Sequence, residues 1–147
     1  MLELFRKPTK ANNPQPKRFV HSGQRGESYA ADYLAANHYR IVTMGERDSA
    51  GELDIIAEDE STGTLVFVEV KTLHTQKTGN PTDRVDRRKQ KRITHAALRY
   101  LKRKKLLDRK CRFDVIGIRW PKGSKEPTEV RHFISAFEAS DDYQLFG

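Results

Sequence analysis

The 147-residue sequence predicts an α/β fold with a central mixed sheet flanked by helices, and three observations predict it. Apolar residues recur at helical spacing in two segments, around Ala30-Ala31-Leu34 and again from Val85 to Leu101. Between them, Leu53-Asp54-Ile55-Ile56-Ala57 and Leu65-Val66-Phe67-Val68 are short runs apolar at both parities, as strands covered on both faces are. Two more strand-like runs follow the second helical segment, so the order is αβββαββ.

Taken in order, residues 1–20 are rich in Pro and Asn and lack periodicity. A flexible N-terminal arm is expected there, before one domain over 21–138 and a short tail over 139–147. The first helix begins after Ser22, which can cap it, and runs to about Asn37. A short strand covers Tyr39 to Met44, a second Glu52 to Glu58 and a third Thr64 to Lys71. The turn residues Asp59-Glu60-Ser61-Thr62-Gly63 make the last two an antiparallel hairpin. A polar loop with Gly79-Asn80-Pro81 leads to a second helix from about Thr82 to Lys104. Strands from Cys111 to Trp120 and from Glu129 to Ile134 complete the core, and the tail can dock through Phe137 and Phe146.

Composition excludes several classes. No run approaches the eighteen or more apolar residues of a membrane span, and the start of the chain is too briefly apolar for a signal peptide. The single Cys111 excludes an internal disulfide and a cysteine-rich zinc site, so a cytoplasmic protein is expected. The net charge of +8 is unevenly spread. Fourteen Lys and Arg against two acids lie between Arg84 and Arg112, while the rest of the chain holds fourteen bases and eighteen acids. Such a stripe suits a phosphate backbone, although most basic runs are solvated faces.

Chemistry concentrates on the hairpin. Side chains two apart on a strand share a face, so Glu69 and Lys71 point the same way. If Asp59 pairs with Thr64, Asp54 lies opposite Glu69 on that face, with Cβ atoms about 4.5–5.5 Å apart. Two carboxylates so placed repel unless a cation joins them, and a hard divalent ion with oxygen ligands, Mg²⁺ or Mn²⁺, answers that need. The competing reading is a set of cross-strand salt bridges on an open sheet. Against it, Ile56, Leu65 and Phe67 occupy the same face, and the strand leading into Glu69 is too apolar for an edge. On the first helix Glu27 falls within about 60° of Ala30, Ala31 and Leu34. Spacing alone leaves two readings for it, a partner for buried charge or a complement to the helix dipole. Lys89 lies within about 40° of Ile93 on the second helix and so points toward the sheet, unless it snorkels outward.

These residues resemble a known superfamily. Gly51-Glu52-Leu53-Asp54 followed by Val66-Phe67-Val68-Glu69-Val70-Lys71 looks like the D…ExK signature of the PD-(D/E)xK nucleases. Those enzymes share a restriction-endonuclease-like αβββαβ core with archaeal Holliday-junction resolvases. A closer resemblance, from about Gly23 to Phe137, is to the YraN family of resolvase-like proteins. It rests on Gly26-Glu27, Arg47, Gly51-Glu52-Leu53-Asp54, Phe67-Val68-Glu69-Val70-Lys71, Gly79-Asn80-Pro81, Lys89-Gln90-Lys91-Arg92-Ile93, Arg112-Phe113-Asp114-Val115 and Ala136-Phe137. The resemblance implies that Asp54 and Glu69 bind metal, that Lys71 is the catalytic lysine, and that Glu27 completes the site. It also implies that Lys89 and Gln90 lie near the scissile phosphate. The chain departs from the pattern at Gly45, where the family usually has Asn, and at Leu73, where a basic residue is common.

The expected function is therefore a metal-dependent endonuclease acting on DNA, branched or single-stranded, with Arg47, Arg88, Lys89, Gln90 and Arg92 on the nucleic acid. DNA is favoured over RNA. Two rival readings are a nuclease fold kept as a silent binding module and a basic RNA- or ribosome-associated protein. The likeness to resolvases leaves a homodimer open, and no segment marks a dimer surface. The five histidines show no metal-ligand spacing, Trp120 reads as packing, and the role of Asp114 stays undecided.

Overall fold

The chain is described by a computed structural model that covers residues 22–49, 51–74 and 85–140. The expected arm, the Gly79-Asn80-Pro81 loop, Arg84 and Phe146 lie outside those residues. Two helices and five strands follow one another as α1 (Ser22–Ala36), β1 (Tyr39–Asp48), β2 (Gly51–Asp59), β3 (Thr64–Leu73), α2 (Arg87–Arg103), β4 (Cys111–Arg119) and β5 (Glu129–Phe137). They form one mixed sheet in the order β1-β2-β3-β4-β5, in which β3 and β4 are parallel and every other pair is antiparallel. The predicted αβββαββ order and the α/β fold are those of the structure, and the architecture is consistent with a restriction-endonuclease-like core.

The run Leu65-Val66-Phe67-Val68 forms the middle of the sheet because it can bury both faces. Leu65 and Phe67 join a core with Ile93, Ala97, Tyr100 and Leu101 of α2. Val66 and Val68 join another with Ala30, Ala31 and Leu34 of α1. Each helix thus covers one face, and the parallel β3–β4 pair is enclosed as such pairs are. The β2–β3 turn closes with the Gly63 N–H donating to the Asp59 carbonyl at 2.8 Å. Gly63 sits there at φ +72°, a left-handed conformation that glycine adopts without strain. That turn sets the register Asp59↔Thr64, which carries through to Ile55↔Val68.

Three boundaries differ from expectation by three residues or more. β1 runs on to Asp48, pairing Arg47 with Glu52, so Arg47 is a strand residue. β5 reaches Phe137, where the aromatic ring stacks on Phe113. The second helix begins at Arg87 instead of Thr82, because Asp86 caps it: its carboxylate accepts the Lys89 backbone N–H at 2.8 Å. This is the usual role of an Asp at that position.

The basic stripe is also not one open surface. Arg99 and Arg103 reach Asp48 and Glu46 of β1, Arg109 pairs with Glu58, and Arg112 turns inward. Asp114 resolves with it. Fully buried on β4, Asp114 accepts bonds from Arg112 (3.0 Å), His132 (2.7 Å) and the Ser135 backbone N–H (3.0 Å). Although burial opposes its charge, these donors hold its carboxyl below the usual range. Ser135 takes φ +51° near the irregular register between β4 and β5, so Asp114 anchors a bulge in the sheet.

Candidate active site at the end of the sheet

The site forms where β2 and β3 part. Beyond the Ile55↔Val68 pair, the Val70 backbone N–H donates to the Asp54 side chain (Oδ2, 2.9 Å). A carboxylate thus takes the place of the next ladder partner, and Asp54 is held in the fork between the strands. From one face α1 brings Glu27, and from the other α2 brings Lys89.

Glu27 comes close because its neighbour is glycine. A Cβ on Gly26 would lie 2.1 Å from the Thr72 hydroxyl oxygen on β3, so only a residue without one lets the first turns of α1 approach the sheet. Among the described residues, Glu27, Glu52 and Asp54 place one carboxylate oxygen each within 4.8 Å of one another. Glu52, two residues before Asp54, was not among the predicted site residues. Its opposite-strand partner Arg47 pairs with it at 2.9 Å, so the predicted phosphate-binding arginine is seated on an acid of the cluster.

Glu69 is only 6% exposed and answers to two lysines: Lys89 Nζ lies 2.5 Å from its Oε1 and Lys71 Nζ 3.5 Å from the same atom. Loss of either lysine would leave the other on Glu69, whereas loss of Glu69 would leave two cations side by side. Burial pushes the Asp54 carboxyl up to about 8, with the Glu69 charge second; the Val70 N–H offsets part of this. Glu27 is also raised, by burial and then by Glu52, against a hydrogen bond with Asp54. The lysines diverge. Burial and the adjacent Lys89 hold Lys71 below its usual range, although Glu69 pulls it back. Burial lowers Lys89 too, but its bond to Glu69 outweighs that and the net shift is upward. Lys71 is therefore the readier to be neutral, and Lys89 the fixed cation.

A cleft of ≈ 230 Å³ opens beside Asp54 and Glu69, its lining including Glu52, Lys89, Arg92 and Ile93 but neither Glu27 nor Lys71. Arg92 is at its rim, and Arg88 is exposed one turn earlier on α2. Gln90 is elsewhere: its side-chain amide donates to the Val85 carbonyl at 2.9 Å and braces the approach to α2. An octahedral Mg²⁺ shell has oxygens about 2.0–2.1 Å from the ion, hence at most about 4.2 Å apart. Small motions would bring the three clustered oxygens into that span, and the mutual repulsion of these carboxylates suits a hard cation. Glu69, whose Oε1 is engaged by both lysines, would join through its other oxygen.

The profile of the uncharacterised protein family UPF0102 matches residues 26–118, which span the site from Gly26 through β4. The chain is 53% identical over 125 residues to UPF0102 protein RB9115 of Rhodopirellula baltica, covering 85% of this chain and 75% of that protein. It is 46% identical over 116 residues to UPF0102 protein GSU0650 of Geobacter sulfurreducens, covering 79% and 88%. A UPF0102 protein of Treponema pallidum is 40% identical over 124 residues, 84% of this chain and 97% of that one. With a profile match over more than half its length and relatives of this closeness, the chain belongs to the UPF0102 (YraN) family.

Proposed function

We propose that this domain is a metal-dependent phosphodiesterase that cuts nucleic acid, DNA in preference to RNA, with branched or single-stranded substrates. The observation that carries the reading is Asp54. A carboxyl held in a strand fork among Glu27, Glu52 and Glu69, and driven up to about 8 by burial and like charge, is a costly thing to fold. Groups perturbed in this way cluster at functional sites. Asp54, Glu27 and Glu52, with Glu69 beside them, would hold Mg²⁺ or Mn²⁺. When bound, such an ion polarises a phosphate and acidifies water. Lys71, shifted toward its neutral form, can take a proton from the attacking water or, when charged, stand against the phosphate. Arg92 at the rim and Arg88 outside it would meet the flanking backbone. Those residues offer phosphate contacts and no base code, which favours selection by nucleic-acid shape.

One contact favours the rival reading of a silent binding module. Lys89 on Glu69 already neutralises a carboxylate that catalysis would need for a metal. The two readings part in a Mn²⁺-supported cleavage panel of single-stranded, duplex, flapped and four-way DNA, with an RNA hairpin as the further arm. Cleavage by the wild type that Lys71→Ala abolishes is the expected result. Binding without cleavage of any substrate would give the case to the module.

A further inference from the structure

A second cavity, ≈ 480 Å³, opens on the α1 side of the sheet and has no part in the site above. Its lining includes Arg25, Thr72, His74, Trp120, Lys122 and Ser124. The volume falls within the range of ligand pockets, about 300–1,000 Å³. Its most ordered feature is a stack. The Arg25 guanidinium lies over the Trp120 ring, 4.0 Å from the centroid. Arg25 Nη2 donates to the carbonyls of Lys125 (2.8 Å) and Ser124 (3.4 Å), and the Trp120 indole N–H donates to the Ser124 carbonyl (2.9 Å). Trp120 is fixed from behind by Tyr29, edge-on at 5.6 Å between centroids. His74 forms a wall, its Nδ1 3.1 Å from the Trp120 carbonyl and so the protonated nitrogen.

An exposed guanidinium held over an indole can offer its outer side to another planar group. Nucleobases stack on arginine planes as they do on aromatic rings. The ordering that usually weakens such a contact has already been met by the two carbonyls and the indole. Lys122 adds a cation at the mouth for a phosphate. The position also fits. Thr72 follows Lys71 in β3, and Arg25 precedes Gly26-Glu27 in α1, so the cavity adjoins the acidic site across the Gly26–Thr72 contact. From Lys71 to His74 is roughly 10 Å at strand rise.

We propose that the Arg25–Trp120 cavity is a nucleobase-stacking subsite for a single strand lying beside the acidic site. The proposal rests on the nucleic-acid reading above but not on turnover. A base lies on the outer face of Arg25, with Lys122 on the adjoining phosphate. Unpaired nucleotides are thereby preferred over duplex, whose bases are already stacked.

The chain holds one tryptophan, Trp120, so its intrinsic fluorescence reports on this cavity alone. The experiment titrates the full chain, in EDTA, with fluorescein-labelled oligothymidylate followed by anisotropy, and with the unlabelled strand followed by tryptophan emission. The expected result is a saturating change in emission that tracks binding. Arg25→Lys, which keeps the charge and loses the plane, should weaken affinity roughly five- to ten-fold and remove the emission change. Lys122→Ala, on an exposed turn, should weaken affinity and leave the emission change intact at saturation, which serves should Arg25→Lys fail to fold. Heparin, a polyanion without bases, should bind without the emission change. Oligothymidylate binding with unaltered emission, an equal emission change with heparin, or no oligothymidylate binding would each overturn the subsite. DNA cleavage in Mn²⁺ alongside any of those outcomes would leave the phosphodiesterase standing without it.

Discussion

Substituting alanine at Gly26 tests the contact that brings α1 onto the sheet. The new Cβ would lie 2.1 Å from Thr72 Oγ1, 3.4 Å from Thr72 Cβ and 3.8 Å from Cγ2. Only the first is a clash, and it demands a shift of about 1 Å or a forced χ1 change in a β-branched side chain, which has few rotamers to spare. Overpacking of this kind costs about 1–3 kcal/mol. Against it, alanine in a helix interior gains about 0.8–1.0 kcal/mol over glycine. The net expectation is a loss of about 0–2 kcal/mol in the wild-type background. With Thr72→Ala the clashing oxygen is gone and the nearest remaining atom is in ordinary contact, so the same Gly26→Ala change should stabilise by up to about 1 kcal/mol. Urea denaturation of the four proteins of this cycle measures both numbers, and the coupling between neighbours should fall in the usual range of about 0.5–3 kcal/mol. An effect of equal sign and size in both backgrounds would refute the idea that Thr72 is what excludes a side chain at position 26.

Three other outcomes are expected. Asp54 is raised to about 8, so its ionised form is disfavoured in the folded chain. Stability should be full below the unfolded value of about 4 and fall as pH rises toward 8, by at most about 6 kcal/mol at about 1.4 kcal/mol per unit. Asp54→Asn in EDTA should therefore melt higher than wild type at pH 7.5 and equally below pH 4, with millimolar Mn²⁺ raising only the wild type. Asp59 has the opposite sign, its carboxyl lowered to about 2 by the Ser61 hydroxyl and then Arg112. The advantage of wild type over Asp59→Asn, read by urea unfolding, should be present above pH 4 and vanish as pH falls through 2. Arg92→Ala should weaken oligonucleotide binding and lower its salt slope by about one. Arg99→Ala, which removes a cation already paired with Asp48 at 2.9 Å, should leave that slope unchanged.

The hairpin was readable because a short turn and strand parity are local facts. Counting from Asp59↔Thr64 brings Asp54 level with Glu69, and the structure keeps that register up to the fork. Helical spacing likewise turned Lys89 toward the sheet, where Glu69 meets it. Glu52 was missed although its signal, parity with Asp54, was present; what hid it was the expected end of β1 at Met44. Asp86 carries the signal of a cap, but the polar residues before it continue the helical pattern on paper to Thr82. The fate of the basic stripe was not legible. Arg99 and Arg103 are neutralised by residues about fifty positions away, and Arg112 by a partner across the sheet, and a count of charges along a chain carries no such distances. The Arg25–Trp120 stack is of the same kind, since nothing local ties position 25 to position 120.

The parallel pairing of β3 with β4 has a consequence for how the chain assembles. The hairpins β1–β2 and β2–β3 close over short loops, whereas β4 reaches β3 only after a crossover through α2. Contacts near in sequence form readily and distant ones late. Asp54 and Glu69 are thus juxtaposed by an early, local event, while Lys89, the cation that quiets Glu69, is delivered with the crossover helix. A half-assembled sheet carries Asp54 and Glu69 at its end with Lys71 as their one cation, before Lys89 arrives. Folding should accordingly quicken when Lys89 is not needed, so Glu69→Gln should refold faster than wild type in low salt, and stopped-flow refolding would read it.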